Sequence, residues 1–174
     1  MRTINLDHIS SNPMLPEVKQ AIIDAVNRDL HNPSSQHKAG EEAAGLLEYA
    51  REMVANLIHA HSPKEIVFTS GGTESINHAI KGVIMANMDK GNHIVTSNIE
   101  HNAVIRSLKR MGSAGIKVTS LSVDETGRVN PKDVEDAITD KTILVSIMHS
   151  NNETGTIQPV KEIGKITREK KVLF

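Results

Sequence analysis

The apolar positions of this chain change period along its length, and the changes mark its elements. Val18, Ile22, Val26 and Leu30 recur at helical spacing behind Pro16, a residue suited to a first helical turn, so a helix with one apolar face starts there. Asn32-Pro33-Ser34-Ser35 breaks the pattern and reads as the cap of the next helix. That helix is long. Leu46, Leu47, Ala50, Met53, Val54, Leu57 and Ile58 keep the period up to His59, which predicts a core-facing helix with a charged outer face. Glu65 to Thr69 then reads as a short buried strand, because Ile66, Val67 and Phe68 form a β-rich run. Ile76, Ile80, Val83 and Ile84 return to helical spacing, so Gly71-Gly72 sits where a strand ends and a helix begins.

The alternation continues from there. Strands are predicted over 93–97, 117–123 and 142–148, with turns at Asp89–Asn92 and Asp124–Gly127. Val104, Ile105 and Leu108 begin one helix, Asn130-Pro131 caps another, and Pro159 opens a third through Ile163 and Ile166. Val172-Leu173-Phe174 starts a further strand. At the other end, Ile4 and Leu6 suggest a brief strand followed by a turn-rich loop over Asp7–Pro13. Strands alternating with helices predict an α/β fold with a mostly parallel sheet and flanking helices.

In such sheets ligands bind beyond the carboxyl ends of the strands. Three polar loops are expected at that edge: Ser70–Ser75, Asn98–Asn102 and His149–Gly155. In the first, two glycines let an anion approach the backbone, and the helix behind them offers unpaired N–H groups at the positive end of its dipole. Thr73 and Ser75 add hydroxyl donors, and the loop reads as a phosphate cradle. An ordinary strand-to-helix turn with a glycine pair and a threonine cap fits the octet alone equally well. Convergence of the three loops favours the cradle and brings His101 and Asn152 to the same mouth.

Composition narrows the classes. A chain of 174 residues is one domain, or one domain with a small appendage. The net charge of −1 and the scattered lysines and arginines predict no nucleic-acid footprint. With no cysteine there is no disulfide framework, thiolate metal site or cysteine nucleophile. No apolar run approaches membrane length, and Met1–Asn5 has no signal-peptide core, so no membrane partner and a cytoplasmic location are expected. His59 and His61 at a helix end point apart, and no metal is expected on them.

Four segments together resemble one family. They are Asn32-Pro33-Ser34-Ser35 with His37, the run Ile66 to Glu74, the run Ser97-Asn98-Ile99-Glu100-His101, and the run Ile143 to Thr156 containing His149-Ser150-Asn151-Asn152-Glu153-Thr154-Gly155. In order and spacing they resemble the amino-terminal half of class V, fold-type I pyridoxal-phosphate enzymes, and most closely the cysteine desulfurases of the NifS/IscS type. The resemblance covers nearly the whole chain. It implies an N-terminal segment of small-domain character over 1–15 and an incomplete pyridoxal-phosphate-binding large domain over 16–174. It implies pyridoxal 5′-phosphate as cofactor, with Gly72 and Thr73 holding the phosphate. His101 is then the residue that stacks on the pyridine ring and is placed for proton transfer, and Asn152 binds the ring hydroxyl. It implies L-cysteine or a related amino acid as substrate, alanine and a protein persulfide as products, sulfur supply for iron–sulfur clusters or another use, and a homodimer.

The resemblance also implies residues this sequence does not carry. In the family the strand begun at Val172 runs on to an aspartate that pairs with the pyridine nitrogen. The Schiff-base lysine, the persulfide cysteine and a substrate-carboxylate arginine follow. The sequence stops at Phe174, ahead of them. Residues 1–174 by themselves are therefore expected to form no covalent cofactor link, to release no sulfide, and to self-associate or pair with a complementary chain. Asp7-His8-Ile9-Ser10-Ser11 stands where the family has an Asp-Asn-Ala-Ala-Thr type run. Two other readings remain: a selenocysteine lyase or other class V enzyme, and a catalytically dead domain of this fold that binds a partner.

Overall fold

The computed structural model describes Ile4 and residues 12–174, so the turn-rich run Asp7–Ser11 lies outside the described residues. The chain divides into two compact units, Met1–Phe68 and Thr69–Phe174. No described helix is long and apolar enough to cross a membrane.

In the first unit, α1 spans Pro16–Val26 and α2 spans Lys38–Leu57. Pro16 sits in the first turn of α1, where its missing N–H has no helical partner to lose. The cap of α2 is His37, whose ring accepts the Gly40 amide; Asn32, expected to lie in the cap, accepts the Ser34 amide in the turn before it. Gly40 is required there, because a Cβ would stand 2.3 Å from the Ser35 carbonyl oxygen. The core-facing expectation for α2 is corrected. Leu46, Leu47, Met53 and Leu57 are exposed, and the buried positions are the small Gly40, Ala43 and Ala55. Val18, Ile22 and Val26 of α1 are exposed too. Helical period shows that one face is apolar, and not what covers it.

The strand expected over Glu65–Thr69 is also corrected. A single 3-10 turn occupies Pro63–Glu65, and Ile66 leaves it in extended conformation. Ile66–Thr69 joins no ladder among the described residues, and Val67 and Phe68 are exposed. β-propensity makes backbone extended, whereas a strand also needs a neighbour to bond with. Instead, Arg51 from α2 donates to the Ile66 carbonyl and lies over the Phe68 ring, 5.1 Å from its centroid.

The second unit is a three-stranded parallel sheet of order β2-β1-β3, with β1 at His93–Ser97, β2 at Lys117–Leu121 and β3 at Thr142–Ser146. Helix α3 (Gly72–Ala86) precedes β1, α4 (Asn102–Gly112) links β1 to β2, α5 (Pro131–Ala137) links β2 to β3, and α6 (Val160–Glu169) follows β3. All five residues of β1 are buried, as a strand enclosed on both faces requires. Successive side chains alternate. Ile94 packs with Ile80, Ile84, Val104 and Leu108 under α3 and α4, and Val95 packs with Val134, Val145 and Ile163 under α5 and α6. A register shift between His93 and Ile94 leaves Ile143 unpaired beside Leu144, and both enter the α3–α4 cluster.

Strand ends come earlier than the apolar runs suggest. β3 stops at Ser146, and the Met148 amide is taken by the Glu100 carboxylate rather than by a strand. The strand expected from Val172 is present as one parallel bridge, with the Val145 amide donating to the Leu173 carbonyl at 2.8 Å. The expected cap at Asn130-Pro131 forms, with the Asn130 side chain accepting the Lys132 amide.

At the amino end of the sheet the buried His93 ring bonds both neighbours, Thr142 Oγ1 at 2.7 Å and Thr119 Oγ1 at 2.8 Å. Burial, and then the nearby Lys117 charge, lower its pKa from the ordinary 6.5. The folded state therefore holds the neutral ring, while the unfolded chain takes up a proton first. Stability is fully present above the unfolded value and is lost as pH falls below about 6.5. Denaturant titrations between about pH 7 and 5 are expected to show this slope, and H93Q to flatten it. Ile163, wholly buried between α6 and the sheet, gives a second check: I163A is expected to lower unfolding free energy by about 3 kcal/mol in the same titrations.

Candidate functional site

Strand direction decides where the polar loops go. β1 connects through α4 to β2 on one side, whereas the chain after β3 returns through α6 to bond β3 on the other. The connections leave β1 and β3 in opposite directions, and the crevice between the carboxyl ends of such a pair is where α/β sheets take ligands. The loop after β1 carries His101 and the loop after β3 carries Asn152.

The two loops bond to each other in both directions. The Glu100 carboxylate accepts the Met148 amide at 2.9 Å, and the Asn151 side chain donates to the Ile99 carbonyl at 3.0 Å. The same Glu100 oxygen accepts the Ser97 hydroxyl at 2.7 Å. The Asn151 oxygen accepts the Glu153 and Thr154 amides at 2.8 and 2.9 Å, folding the chain around Asn152. Glu100 and Asn151 are 7% and 6% exposed, whereas His101 and Asn152 stand in solvent. Burial pushes the Glu100 carboxyl up from its ordinary range, and the Ser97 hydroxyl and Met148 amide pull it partly back. The loop after β3 closes on itself through the Ser150–Ile157 bridge, with Gly155 at φ 75°. Its exit is anchored by Gln158, which accepts the Val129 amide and donates to the Gly127 carbonyl.

His101 caps α4: its Nδ1 accepts the Ala103 amide at 3.1 Å. The neutral ring then carries its proton on Nε2 and presents that nitrogen outward. The Asn152 amide nitrogen bonds only the neighbouring Glu153 carboxylate, at 3.2 Å, among the described residues.

Gly72 and Thr73 open α3, with Gly71 as its cap and no side chain closing it. Ser75 is the first residue of this turn whose amide returns to a helical acceptor, the Gly71 carbonyl, and the Gly72 and Thr73 amides have no partner among the described residues. The Thr73 hydroxyl has no partner among the described residues, whereas the Ser75 hydroxyl, expected as a donor, is engaged with Thr69 Oγ1 at 2.7 Å and the Gly71 carbonyl. The Ser70 hydroxyl, and then its amide, hold the Glu74 carboxyl below its ordinary range, so its charge is turned into the loop. A Cβ at Gly72 would meet nothing within 4 Å, so the protein itself leaves the space above this amide open. Two free amides, a free hydroxyl and an open approach make a donor set that fits a phosphate. No hydrogen bond among the described residues joins this loop to the other two. No group of three or more His, Asp or Glu that could hold a metal occurs among the described residues.

Sequence reasoning singled out the exposed His101 and Asn152 and passed over their buried neighbours Glu100 and Asn151. The signal was present: a carboxylate and an amide, each directly before a candidate residue, in loops predicted to meet.

The chain is similar to known proteins along nearly its whole length. The family model described as aminotransferase class-V matches residues 4–174. The cysteine desulfurase IscS of Methanosarcina thermophila is 44% identical over 173 residues, 99% of this chain and 43% of that protein. The cysteine desulfurase IscS of Dictyoglomus turgidum is 45% identical over 173 residues, 99% of this chain and 44% of that protein. A solved structure of SspA in complex with cysteine superposes with TM-score 0.89 at 36% identity, over 95% of this chain and 47% of that one. The chain thus spans less than half the length of these relatives.

The cap is the first testable point. H101A is expected to cost α4 about 1 kcal/mol, and H101N, which retains a capping acceptor, to recover most of it. Denaturant unfolding of the two variants measures the difference.

Proposed function

The chain belongs to the aminotransferase class-V family, and from that premise we propose that it is the part of a pyridoxal-phosphate-dependent cysteine desulfurase that holds the cofactor's phosphate and one side of its ring. The observation that carries the reading is the meeting of the His101 and Asn152 loops at the crevice between β1 and β3. Pyridoxal phosphate, when bound, supplies an electron sink for bonds at the substrate's α-carbon and β-carbon.

The residues of this chain have distinct tasks in that proposal. The Gly72 and Thr73 amides and the Thr73 hydroxyl bind the phosphate, helped by the α3 dipole. The His101 imidazole is the flat partner of the pyridine ring. Because Nδ1 accepts the Ala103 amide, Nε2 carries the ring's proton and is the atom that donates near the substrate. The Asn152 amide donates to the ring hydroxyl. L-cysteine is the substrate we assign, with its sulfur passing to a protein acceptor for iron–sulfur clusters or another use, in the cytoplasm. The exposed apolar residues Val18, Ile22 and Val26 of α1 favour a homodimer. Light scattering on the purified chain tests that point, and a monomer at high concentration argues against it.

The cradle is tested with pyridoxine 5′-phosphate, which has no aldehyde and cannot condense with surface lysines. Isothermal titration is expected to show binding that inorganic phosphate competes away and that unphosphorylated pyridoxine does not reproduce. G72A is the sharpest variant. Its Cβ has room within the protein, so the thermal midpoint should stay unchanged while affinity falls about tenfold by blocking close approach. Equal affinities in wild type, G72A and T73A would remove the phosphate cradle from the proposal. In a polypeptide that also carries the remainder found in these relatives, L-cysteine is expected to yield sulfide, and H101A to lower kcat by about 10²-fold or more.

A further inference from the structure

We propose that Glu100 and Asn151 are the positioning residues of this site, a reciprocal clamp that sets the separation between the His101 ring and the Asn152 amide. The inference rests on the pyridoxal-phosphate reading above and names what holds that site in shape.

The clamp begins where the sheet ends. Pairing of β1 with β3 stops at Thr96–Ser146, and neither Glu100 nor Asn151 belongs to the apolar clusters under the helices. Beyond the ladder nothing in the backbone pattern obliges the two loops to stay together. Each loop instead sends one side chain to the other's backbone: Glu100 to the Met148 amide and Asn151 to the Ile99 carbonyl. Each of these residues is the immediate predecessor of a candidate site residue, so its fixed backbone is one peptide unit from the group it orients.

Burial makes the clamp stiff. Bonds of buried polar groups are not exchanged for water without leaving a donor or acceptor unpaired. The Asn151 oxygen also bonds the Glu153 amide, so Asn152 is the central residue of a turn whose two ends are tied. His101 is held on its far side by its own bond to Ala103. The two exposed groups thus stand on rigid supports. A carboxylate buried at this point is a local cost, raised towards its neutral form by burial, that two well-packed aliphatic side chains would not incur. What it provides that they would not is a directional bond, and so a defined spacing across the crevice for a planar ring.

The full chain, labelled with nitrogen-15, is titrated with pyridoxine 5′-phosphate, and two ends of the site are read in one spectrum. The Gly72 and Thr73 amides report the phosphate end, and the His101 ring nitrogens with the Asn152 side-chain amide report the ring end. E100A and N151D are the test variants, the second because it keeps the oxygen of Asn151 and removes its bond to Ile99. E100Q keeps an acceptor for Ser97 and Met148. If either test variant fails to fold, the other carries the comparison. The expected result is that the test variants still respond at Gly72 and Thr73, lose the response at His101 and Asn152, and bind about tenfold more weakly, while E100Q responds at both ends. A residue that served folding alone would lower the thermal midpoint and leave the ring-end response intact. Equal responses at both ends in wild type, E100A and N151D would therefore overturn the clamp and leave the cofactor reading standing. No response at either end in the wild type would overturn the cofactor reading, and the positioning role with it.

Discussion

Parallel pairing of β1 on both of its edges is the constraint on which the second unit depends. A parallel neighbour cannot be reached by a tight turn, so each connection must cross a face of the sheet as a helix. With β2 on one side of β1 and β3 on the other, the crossovers cover both faces and bury every residue of β1. The same constraint puts all strand-to-helix loops at one edge, and the opposite departures from β1 and β3 open a crevice between them. The location of the candidate crevice is thus a consequence of strand order.

Polar satisfaction then shapes that edge. Where the ladder stops, amides and carbonyls near the crevice still need partners, and buried side chains provide them: Glu100 for Met148, Asn151 for Ile99, Glu153 and Thr154, Gln158 for Val129 and Gly127. The amino edge shows the same economy in His93, one ring bonded to threonines on both flanking strands. The two edges respond to acid in opposite senses. Burial disfavours the imidazolium of His93 and also disfavours the carboxylate of Glu100, so protonation costs stability at the first and relieves it at the second.

Much of this was legible beforehand, for reasons that are local. His93–Ser97, Lys117–Leu121 and Thr142–Ser146 are β-branched or apolar runs between clear turn signals, and they form strands close to where those runs lie. Asn130-Pro131 and Gly71-Gly72 open helices through preferences of one or two residues. The family resemblance was legible for the same reason, since its motifs lie in short continuous segments. The failures share a cause as well. Ile66-Val67-Phe68 has the composition of a buried strand and remains extended without a ladder, because pairing belongs to two segments and not to one. The apolar stripes of α1 and α2 were read correctly as stripes, yet exposure depends on what packs against them.

The sequence by itself determined most of the succession of helices and strands, the open glycine turn at the head of α3 and the residue types of the candidate loops. Those follow from backbone propensity, capping and side-chain chemistry, which act within a few positions. Only the tertiary structure decided that the loops after β1 and β3, expected to share one edge, flank a reversal of strand order. It alone made Glu100 and Asn151 the bonds between them, and engaged the Ser75 hydroxyl with Thr69 and Gly71 while leaving that of Thr73 without a partner among the described residues. Each of those outcomes depends on which partner stands across from a residue, and in the two loops the partners come from segments about fifty residues apart in the chain.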